Sequence, residues 1–236
     1  MHIFFFNSSG RKDPIIYSTQ RAFAALKSDG SVVSWGDAGW GGDSSSVQND
    51  LKKGVVKTIF STDGAFAALM LDGSVVTWGH STFGGDSSRI QEKLKNVKTI
   101  YSNRGAFVAL KSWGVVTWGL PAWGGGRSKK IKGVETIYST QGAFAALAGD
   151  GKVVTWGSAS SGGDSSTVQA GLKGGVKTIY SNSYAFAALK SDGSVVTWGH
   201  GVDSSRVIEE LKGVETIYST RKAFAALKSD GSVVTW

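Results

Sequence analysis

The sequence predicts an all-β protein, a six-bladed β-propeller built from repeats of about 40 residues. Three observations support this prediction. A tryptophan that ends an apolar phrase recurs at positions 35, 78, 118, 156, 198 and 236, at intervals of 38 to 43 residues. Two further short apolar phrases precede each tryptophan, and turn-forming residues separate them. Both sides of the predicted strands are apolar, so each small sheet must be covered on both faces.

Three phrases define each repeat, and we call them strands A, B and C. Strand A reads Ile-Tyr-Ser or Ile-Phe-Ser, strand B reads Ala-Phe-Ala-Ala-Leu with one valine variant, and strand C reads Val-Val-Thr-Trp or Val-Val-Ser-Trp. These β-rich runs predict three short antiparallel strands per blade. We expect a single domain over residues 1–236. Its repeats are at about residues 14–36, 55–79, 97–119, 134–157, 176–199 and 214–236, with rim segments between them.

Turn sequences fix the order of the strands within a blade. Strands B and C are joined by Ser-Asp-Gly-Ser or a close variant, as at residues 28–31. An Asp-Gly pair between two apolar runs is a strong hairpin signal, because glycine supplies the positive φ that the turn needs. The third repeat departs from this pattern, with Ser112-Trp113-Gly114 in its turn. Strands A and B are about four residues apart, which is also hairpin length.

The apolar pattern of strand B indicates how the blades pack. Within strand B of the first repeat, Phe23 and Ala25 point to one face. Ala22, Ala24 and Leu26 point to the other, so both faces are apolar. The natural cover for such a sheet is the next copy of the same sheet. An open solenoid of these sheets would leave two apolar end faces that need caps. Only residues 1–7 could serve as a cap, so we expect a closed ring. Two alternatives stay open at Trp236: the ring closes there, with Met1 to Asn7 as a final edge strand, or the array once continued.

A polar segment follows strand C in four of the repeats. Each segment begins with Asp-Ser-Ser, ends with lysine and carries an apolar pair four residues apart, which predicts a short amphipathic rim helix with an N-cap. The four segments are 43–52, 86–95, 164–173 and 203–212, and the pairs are Val47/Leu51, Ile90/Leu94, Val168/Leu172 and Val207/Leu211. The third repeat lacks the Gly-Gly-Asp-Ser-Ser phrase between Pro121 and Lys132.

The phrase Ala-Leu-Lys-Ser-Asp-Gly-Ser-Val-Val-Thr-Trp-Gly, followed by Gly-Gly, resembles the repeat of the regulator of chromosome condensation family over roughly residues 14–236. The resemblance implies a propeller, which in that family usually has seven blades. The compact repeat looks most similar to the three-stranded blades of beta-lactamase inhibitor protein II. The family's functions include nucleotide exchange on a small GTPase, chromatin docking, enzyme inhibition, ubiquitin ligation and ultraviolet sensing. The Gly-Trp-Arg-His-Thr motif of the ultraviolet sensors does not occur in this sequence.

Charge and composition indicate which classes of partner suit the chain and exclude some kinds of site, but they do not indicate its function. The formal net charge of +8 suits an acidic protein or a nucleic acid, although the basic residues recur at fixed repeat positions rather than in one block. Cysteine is absent, which excludes disulfides and thiolate metal sites. No apolar run approaches the ~20 residues of a membrane helix. With no signal peptide visible, we expect an intracellular protein, either cytoplasmic or nuclear.

The search for catalytic chemistry predicts no enzyme, no cofactor and no metal site. His80 and His200 follow Trp-Gly at equivalent positions, but without a recurring carboxylate partner they are better explained as surface-loop residues. The aspartates that begin the rim segments are explained by helix capping rather than by calcium binding. Neither a paired nucleophile and base nor a phosphate-binding loop with its lysine is apparent.

Strand direction predicts that the A–B loops and the loops after Trp-Gly share one face, which we call the loop face. The repeats differ most from one another there, and aromatic and arginine side chains are typical of binding hot spots. The candidate binding residues are Arg21, Trp40, Phe83, Arg104, Trp123, Tyr184, Arg221 and Lys222. We expect a non-catalytic scaffold that binds a protein partner, with an acidic protein as one candidate. The alternatives are nucleic-acid or chromatin docking, a glycan-binding lectin and a structural assembly subunit.

Overall fold

Six three-stranded antiparallel sheets, one for each repeat, follow one another along the chain. The structure is a computed structural model that describes residues 13–126 and 131–236. The segment Met1–Asn7, expected to cap the array or add an edge strand, lies outside the described residues. The chain divides into two units, residues 1–111 with 116–120 and residues 112–115 with 121–236. The expectation of one domain stays a prediction.

Three sheets come from the first half of the chain, and each has the order A–B–C. The strands are β1 (Ile15–Ser18), β2 (Ala22–Leu26), β3 (Val32–Gly36), β4 (Val56–Ser61), β5 (Ala65–Met70), β6 (Val75–Gly79), β7 (Thr99–Ser102), β8 (Ala106–Lys111) and β9 (Gly114–Gly119). Strand A pairs with strand B, which pairs with strand C, so B is central and is the most completely buried strand of each sheet.

The second half of the chain repeats the same sheet three times. Its strands are β10 (Val134–Ser139), β11 (Ala143–Ala148), β12 (Val153–Gly157), β13 (Val176–Ser181), β14 (Ala185–Lys190), β15 (Val195–Gly199), β16 (Val214–Ser219), β17 (Phe224–Lys228) and β18 (Val233–Thr235). The register is conserved from sheet to sheet, with Phe144 opposite Trp156 and Phe186 opposite Trp198. The three predicted strands per repeat are confirmed.

The Asp-Gly turns form as predicted, with a glycine in the left-handed region. In the first hairpin the Gly30 amide donates to the Lys27 carbonyl at 3.0 Å, and φ of Gly30 is +81°. The Lys27 amide donates to the Ser31 carbonyl at 2.9 Å, which closes a three-residue loop. Asp29 Oδ1 accepts hydrogen bonds from both the amide and the hydroxyl of Ser31. The aspartate therefore stabilises the turn locally, independently of any neighbouring sheet.

The rim segments are less helical than the sequence predicts. An α-helix, α1, spans only Gln48–Leu51, and the remaining helical turns are of the 3₁₀ type. The 3₁₀ turns are Ala38–Trp40, Ser45–Val47, Ser81–Phe83, Ser88–Lys93, Pro121–Trp123, Ala159–Ser161 and Ser166–Leu172. Residues 203–212 form turns without a helix. Short segments anchored at both ends commonly adopt 3₁₀ geometry, because they cannot propagate an α-helix.

The predicted side-chain roles in the rim segments hold even though the helix does not. Leu51, Leu94, Leu172 and Leu211 are buried, and their partners four residues earlier pack beside them. Asp43 Oδ1 accepts a hydrogen bond from the Ser45 amide at 2.8 Å. Asp86, Asp164 and Asp203 accept from the amide two residues later in the same way. Each aspartate begins its segment as predicted, but the N-cap of the 3₁₀ turn is the serine that follows it at Ser44, Ser87 and Ser165.

Within each unit the sheets stack through two unlike faces. One face, the Leu face, carries the first, third and fifth residues of strand B with the first valine of strand C: Ala22, Ala24, Leu26 and Val32 in the first sheet. It packs against the opposite face of the next sheet, the Phe face, which carries Ile59, Phe66, Ala68 and Trp78 in the second. The same packing joins the second sheet to the third, the fourth to the fifth and the fifth to the sixth.

A tryptophan hydrogen bond fastens neighbouring sheets at the loop face. The Trp118 indole Nε1 donates to the Gly84 carbonyl of the preceding sheet's loop at 3.1 Å, and Trp78 and Trp198 donate to Gly41 and Gly162 in the same way. Gly84 has φ of +98°, and a Cβ there would lie 2.7 Å from Phe107 Cδ2. The Gly-Gly phrases that read as simple turns are therefore also packing sites, where only glycine fits.

Candidate interaction surface on the loop face

The A–B loops are closed by a side-chain oxygen that the sequence analysis did not single out. Strand A is followed directly by threonine or asparagine in every repeat, and the side-chain oxygen of that residue accepts a hydrogen bond from the amide three residues later. Thr19 Oγ1 accepts from the Ala22 amide at 3.0 Å, and Asn182 Oδ1 accepts from the Ala185 amide at 2.8 Å. These bonds hold each A–B loop in a short, fixed conformation. The Ser-Thr and Ser-Asn phrases that recur at the end of strand A are the sequence feature that could have predicted these hydrogen bonds.

Backbone hydrogen bonds bring the loop after Trp-Gly to the A–B loop of its own sheet. The Asp37 amide donates to the Arg21 carbonyl at 3.0 Å, and the His80 amide donates to the Gly64 carbonyl at 2.8 Å. Equivalent bonds join Leu120 to Gly105, Ser158 to Gly142 and His200 to Tyr184. Both loops of each of these sheets therefore lie at the same end of the strands, as strand direction predicts.

In the first unit these loops bring together an aromatic cluster, which we define as Arg21, Trp40, His80 and Phe83. The Trp40 and Phe83 ring centroids are 5.5 Å apart, and His80 lies 5.8 Å from Trp40 and 5.3 Å from Phe83. The Arg21 guanidinium carbon lies 4.7 Å from the centre of the Trp40 ring, a cation–π distance. The three rings are half-buried, so they are held in place and still reach the surface.

Glycine at position 64 makes room for this cluster. A Cβ on Gly64 would lie 3.0 Å from Phe83 Cδ2 and 3.1 Å from Trp40 Cε3, tighter than ordinary van der Waals contact. The carbonyls of Trp40 and Phe83 also accept hydrogen bonds from Thr19 Oγ1 and Thr62 Oγ1, each at 3.0 Å. Two loops from each of two neighbouring sheets therefore support the rings.

Charged side chains lie beside the aromatic cluster. Asp63 Oδ2 accepts hydrogen bonds from Arg104 Nε at 2.7 Å and from Gln20 Nε2 at 2.8 Å, which links the A–B loops of the first three sheets. Arg21 lies 4.0 Å from the Asp37 carboxylate. Solvent-exposed pairs of this kind contribute little to stability, so their main effect is to orient the two arginines at the surface.

His80 lies in a loop like His200, but His200 is exposed whereas His80 is half-buried, with its ring against those of Trp40 and Phe83. Its Nδ1 is buried and has no hydrogen-bond partner within the part of the chain that the structure describes. Across residues 13–126 and 131–236, no group of three His, Cys, Asp or Glu side chains could hold a metal ion. His80 and Asp63 are thus the residues of this surface that the candidate set omitted.

The remaining candidate residues belong to the second unit. Trp123 is half-buried, and a Cβ on Gly142 would lie 3.4 Å from its Cδ1. Tyr184 is half-buried in the next A–B loop, and Arg221 and Lys222 are exposed in the last one. Neither of these two basic side chains has an acidic partner among the described residues. The structure thus brings Arg21, Trp40, Phe83 and Arg104 together in one unit and places the other four candidates in the other.

A separate cleft of about 850 Å³ lies at the rim of the first unit and is lined by Asp43, Asp50, Asp72 and Asp86 among other residues. Hydrogen bonds from the amide and hydroxyl of Ser45 hold the pKa of Asp43 below its usual value, and Ser88 acts on Asp86 in the same way. Asp43 and Asp86 therefore stay ionised at neutral pH and are engaged in local turns. The cleft is therefore negative, a poor match for phosphate groups.

No helix in the described part of the chain has both the length and the apolar character needed to cross a membrane. No protein-family model and no curated protein sequence matches the chain. Solved structures do match its fold. Prp20p of Saccharomyces cerevisiae is 19% identical with a TM-score of 0.55, and the match covers 97% of this chain and 72% of that one.

Two further matches extend the comparison. Human WBSCR16 is 16% identical with a TM-score of 0.56, over 95% of this chain and 76% of that one. The CRINKLY ectodomain of the Arabidopsis thaliana receptor kinase ACR4 is 19% identical with a TM-score of 0.52, over 94% of this chain and 80% of that one. Prp20 is also described as yeast RCC1. At these identities the likeness concerns the fold alone: the chain has a β-propeller fold similar to that of Prp20p, with six three-stranded blades, as predicted.

Proposed function

We propose that this chain is a non-catalytic scaffold that binds a protein partner through the loop face. The observation that carries the proposal is the aromatic cluster of Arg21, Trp40, His80 and Phe83. Aromatic and arginine side chains that are held rigidly at a surface lose little conformational entropy on binding, which is why they dominate interface hot spots. The cluster also stands on loop positions where the repeats differ, free of the packing constraints that keep strands A, B and C alike.

The comparisons support the class of function and no more than that. Prp20p is described as binding Gsp1p and histones, and a structure of Prp20 bound to Kap60 is known. A propeller of this type can therefore serve as a protein-binding scaffold. For this chain we propose a partner that presents carboxylates, because Arg221 and Lys222 are exposed without an acidic partner among the described residues.

Two observations favour this proposal over the alternatives. Arg21 lies over the Trp40 ring, so that ring does not offer a bare face for a sugar to stack on. Basic side chains of the loop face are balanced by Asp37 and Asp63 in the first unit, and the rim cleft there is acidic. A binding mode that depends on net positive charge alone fits this distribution less well than one that depends on particular side chains.

The experiment compares two double variants with the same change in charge. One replaces the loop-face arginines (Arg21→Glu and Arg104→Glu), and the control replaces two exposed rim arginines (Arg89→Glu and Arg206→Glu). Tagged proteins are used to capture partners from a lysate of the native host, and the captured proteins are quantified by mass spectrometry. We expect the loop-face variant to lose partner capture by at least about tenfold, since a hot-spot arginine contributes more than about 1 kcal/mol. The rim variant should stay within about twofold of the wild type.

Two results would contradict the proposal. Equal losses in both variants, together with capture that disappears on nuclease treatment, would indicate nucleic-acid docking through net charge. Unchanged capture by the loop-face variant, with an unchanged melting temperature, would show that the partner binds elsewhere.

A further inference from the structure

The first sheet has an exposed Phe face. Phe23, Trp35, Ile16 and Val33 are all at least 42% exposed, and the Phe23 and Trp35 rings stack on each other with centroids 5.5 Å apart. In the second, third, fifth and sixth sheets the residues at these positions pack against the preceding sheet of the same unit. Four neighbouring apolar side chains exposed to this extent on a folded surface indicate an interaction site.

The sixth sheet has the complementary defect, an exposed Leu face. Val233 is 60% exposed and Tyr218 is 62% exposed, whereas the equivalent Val195 of the fifth sheet is 4% exposed. Ala225 and Leu227 on the same face are only half-buried, although Ala187 and Leu189 in the fifth sheet are buried. The face that would normally receive the next sheet is therefore open.

The molecule itself shows what each of these faces accepts. At the four sheet junctions within the two units, a Leu face always covers a Phe face, with the same residue types in contact. The exposed Phe face of the first sheet repeats Phe66, Trp78 and Ile59 as Phe23, Trp35 and Ile16. Among residues 13–126 and 131–236, one surface of each kind is therefore exposed, and the two carry the same residue types as the faces that meet at the internal junctions.

We propose that the sixth sheet of one copy docks through its Leu face onto the Phe face of the first sheet of a second copy. Such a junction is heterologous, so it joins copies head to tail rather than about a twofold axis. The loop contacts of the internal junctions extend to it. The Gln20 amide donates to the Asp63 carbonyl of the next sheet, and the Ser183 amide donates to Arg221. In the proposed junction the Arg221 amide of one copy donates to the Gln20 carbonyl of the other.

One position makes the proposed junction weaker than the internal ones. The hydroxyls of Tyr17, Tyr138 and Tyr180 form hydrogen bonds with threonines of the next sheet, at 3.1 to 3.2 Å. Tyr218 occupies the same place on the sixth sheet, but Ile15 stands where those threonines are. Without this hydrogen bond the proposed junction is weaker than the internal ones, and because it joins separate copies its extent depends on protein concentration.

The test uses two blocked variants and their mixture. Phe23→Asp blocks the Phe face, Val233→Asp blocks the Leu face, and Leu71→Asp is the control, since Leu71 is exposed in a hairpin turn outside both faces. Sedimentation velocity is measured at about 1 to 100 μM protein, a range that covers typical reversible assembly. We expect the wild type and Leu71→Asp to sediment faster as concentration rises. Each blocked variant alone should stay monomeric, and an equimolar mixture of the two should form a dimer and nothing larger.

The mixture distinguishes this junction from any other self-association, because each blocked variant keeps the face that its partner lacks. A wild type that is monomeric at every concentration would overturn the proposal, and this is also the result if the Phe face is covered within one chain. Association of the wild type without dimerisation of the mixture would overturn it too. If either variant unfolds by circular dichroism, Ile16→Asp and Tyr218→Asp replace it, since both positions are exposed. The loop-face arginine variants should associate like the wild type, which separates this outcome from that of the proposed function.

Discussion

The first and second sheets carry nearly the same residues, yet their Phe faces differ completely in burial. Phe66 is fully buried and Trp78 is 2% exposed, whereas Phe23 and Trp35 are each 45% exposed. Each Phe–Trp pair stacks in the same way, with centroids 5.2 Å apart in the second sheet and 5.5 Å apart in the first. The local geometry is therefore a property of the hairpin, and burial is a property of the neighbouring sheet.

This difference separates two contributions to stability: the local contacts within a hairpin and the burial of apolar area by a neighbouring sheet. Residues of the second sheet gain free energy from removing apolar area from water, roughly 25 cal/mol per Å². The same residues in the first sheet gain little, because no sheet covers them within the described chain. Identical substitutions at equivalent positions should therefore have unequal effects, and the ratio between them measures the contribution of the junction.

The largest expected effect comes from the two phenylalanines. Phe66→Ala should destabilise the chain by about 3–5 kcal/mol, because it leaves a cavity between two packed sheets. Phe23→Ala should cost less than about 1 kcal/mol, because the side chain is already half in water. Urea unfolding followed by tryptophan fluorescence, at a protein concentration low enough to avoid self-association, checks both values. Equal losses would show that the Phe face of the first sheet is covered in solution.

A smaller effect is expected from two glycines that both have positive φ. A Cβ on Gly84 would collide with the Phe107 ring, whereas nothing lies within 4 Å of a Cβ on Gly201, where φ is +74°. Gly201→Ala should cost about 1–2 kcal/mol for the backbone conformation alone. Gly84→Ala should cost a further ~1–3 kcal/mol, because the overpacked junction must shift. Thermal unfolding of the two variants measures this difference, and equal losses would mean that the Gly84 loop can move freely away from Phe107.

The smallest effect is expected from the aspartates of the Asp-Gly turns, and it should be equal in the first and second sheets. Hydrogen bonds from the hydroxyl and amide of Ser31 hold the pKa of Asp29 below its usual value, and Ser74 does the same for Asp72. Because each pKa is depressed on folding, the stabilisation is present above the unfolded pKa and is lost as pH falls through the folded pKa. Asp29→Asn and Asp72→Asn should therefore each flatten the loss of stability between about pH 5 and pH 2 by a similar amount.

The pH prediction is checked by measuring melting temperature against pH for the wild type and the two variants. A clearly larger effect at Asp72 than at Asp29 would show that the turn depends on the neighbouring sheet. The turn could then no longer be treated as a local feature, and the two sheets would differ in more than burial.

Most of the fold could be predicted from the sequence because it depends on local rules. Strand positions follow from β-branched and aromatic runs, and the hairpins follow from Asp-Gly, where only a small set of residues adopts the required φ. The rim segments show the limit of this reasoning. Their leucines are buried as predicted, but the aspartates precede the N-cap, α1 is four residues long and the other turns are 3₁₀, since the chain is fixed at both ends.

The candidate site could be predicted only in part. Strand direction correctly places the A–B and Trp-Gly loops of a sheet together, because antiparallel hairpins alternate direction. Which loop side chains touch depends on the distance between adjacent sheets. That distance brings His80 between Trp40 and Phe83 and Asp63 between Gln20 and Arg104, contacts that no spacing in the sequence encodes.

The sequence by itself determined the number of sheets, their strand order and the turn chemistry, because each of these depends on residues close together in the chain. Tertiary structure alone decided which equivalent residues are buried. Phe23 and Phe66 both lie in an Ala-Phe-Ala-Ala-Leu strand. Phe66 is a core residue because a neighbouring sheet packs on it, and Phe23 is a surface residue because none does within the described chain. It also decided that Gly84 is required for a junction rather than for a turn alone, because the Phe107 ring that fills the space belongs to the next repeat.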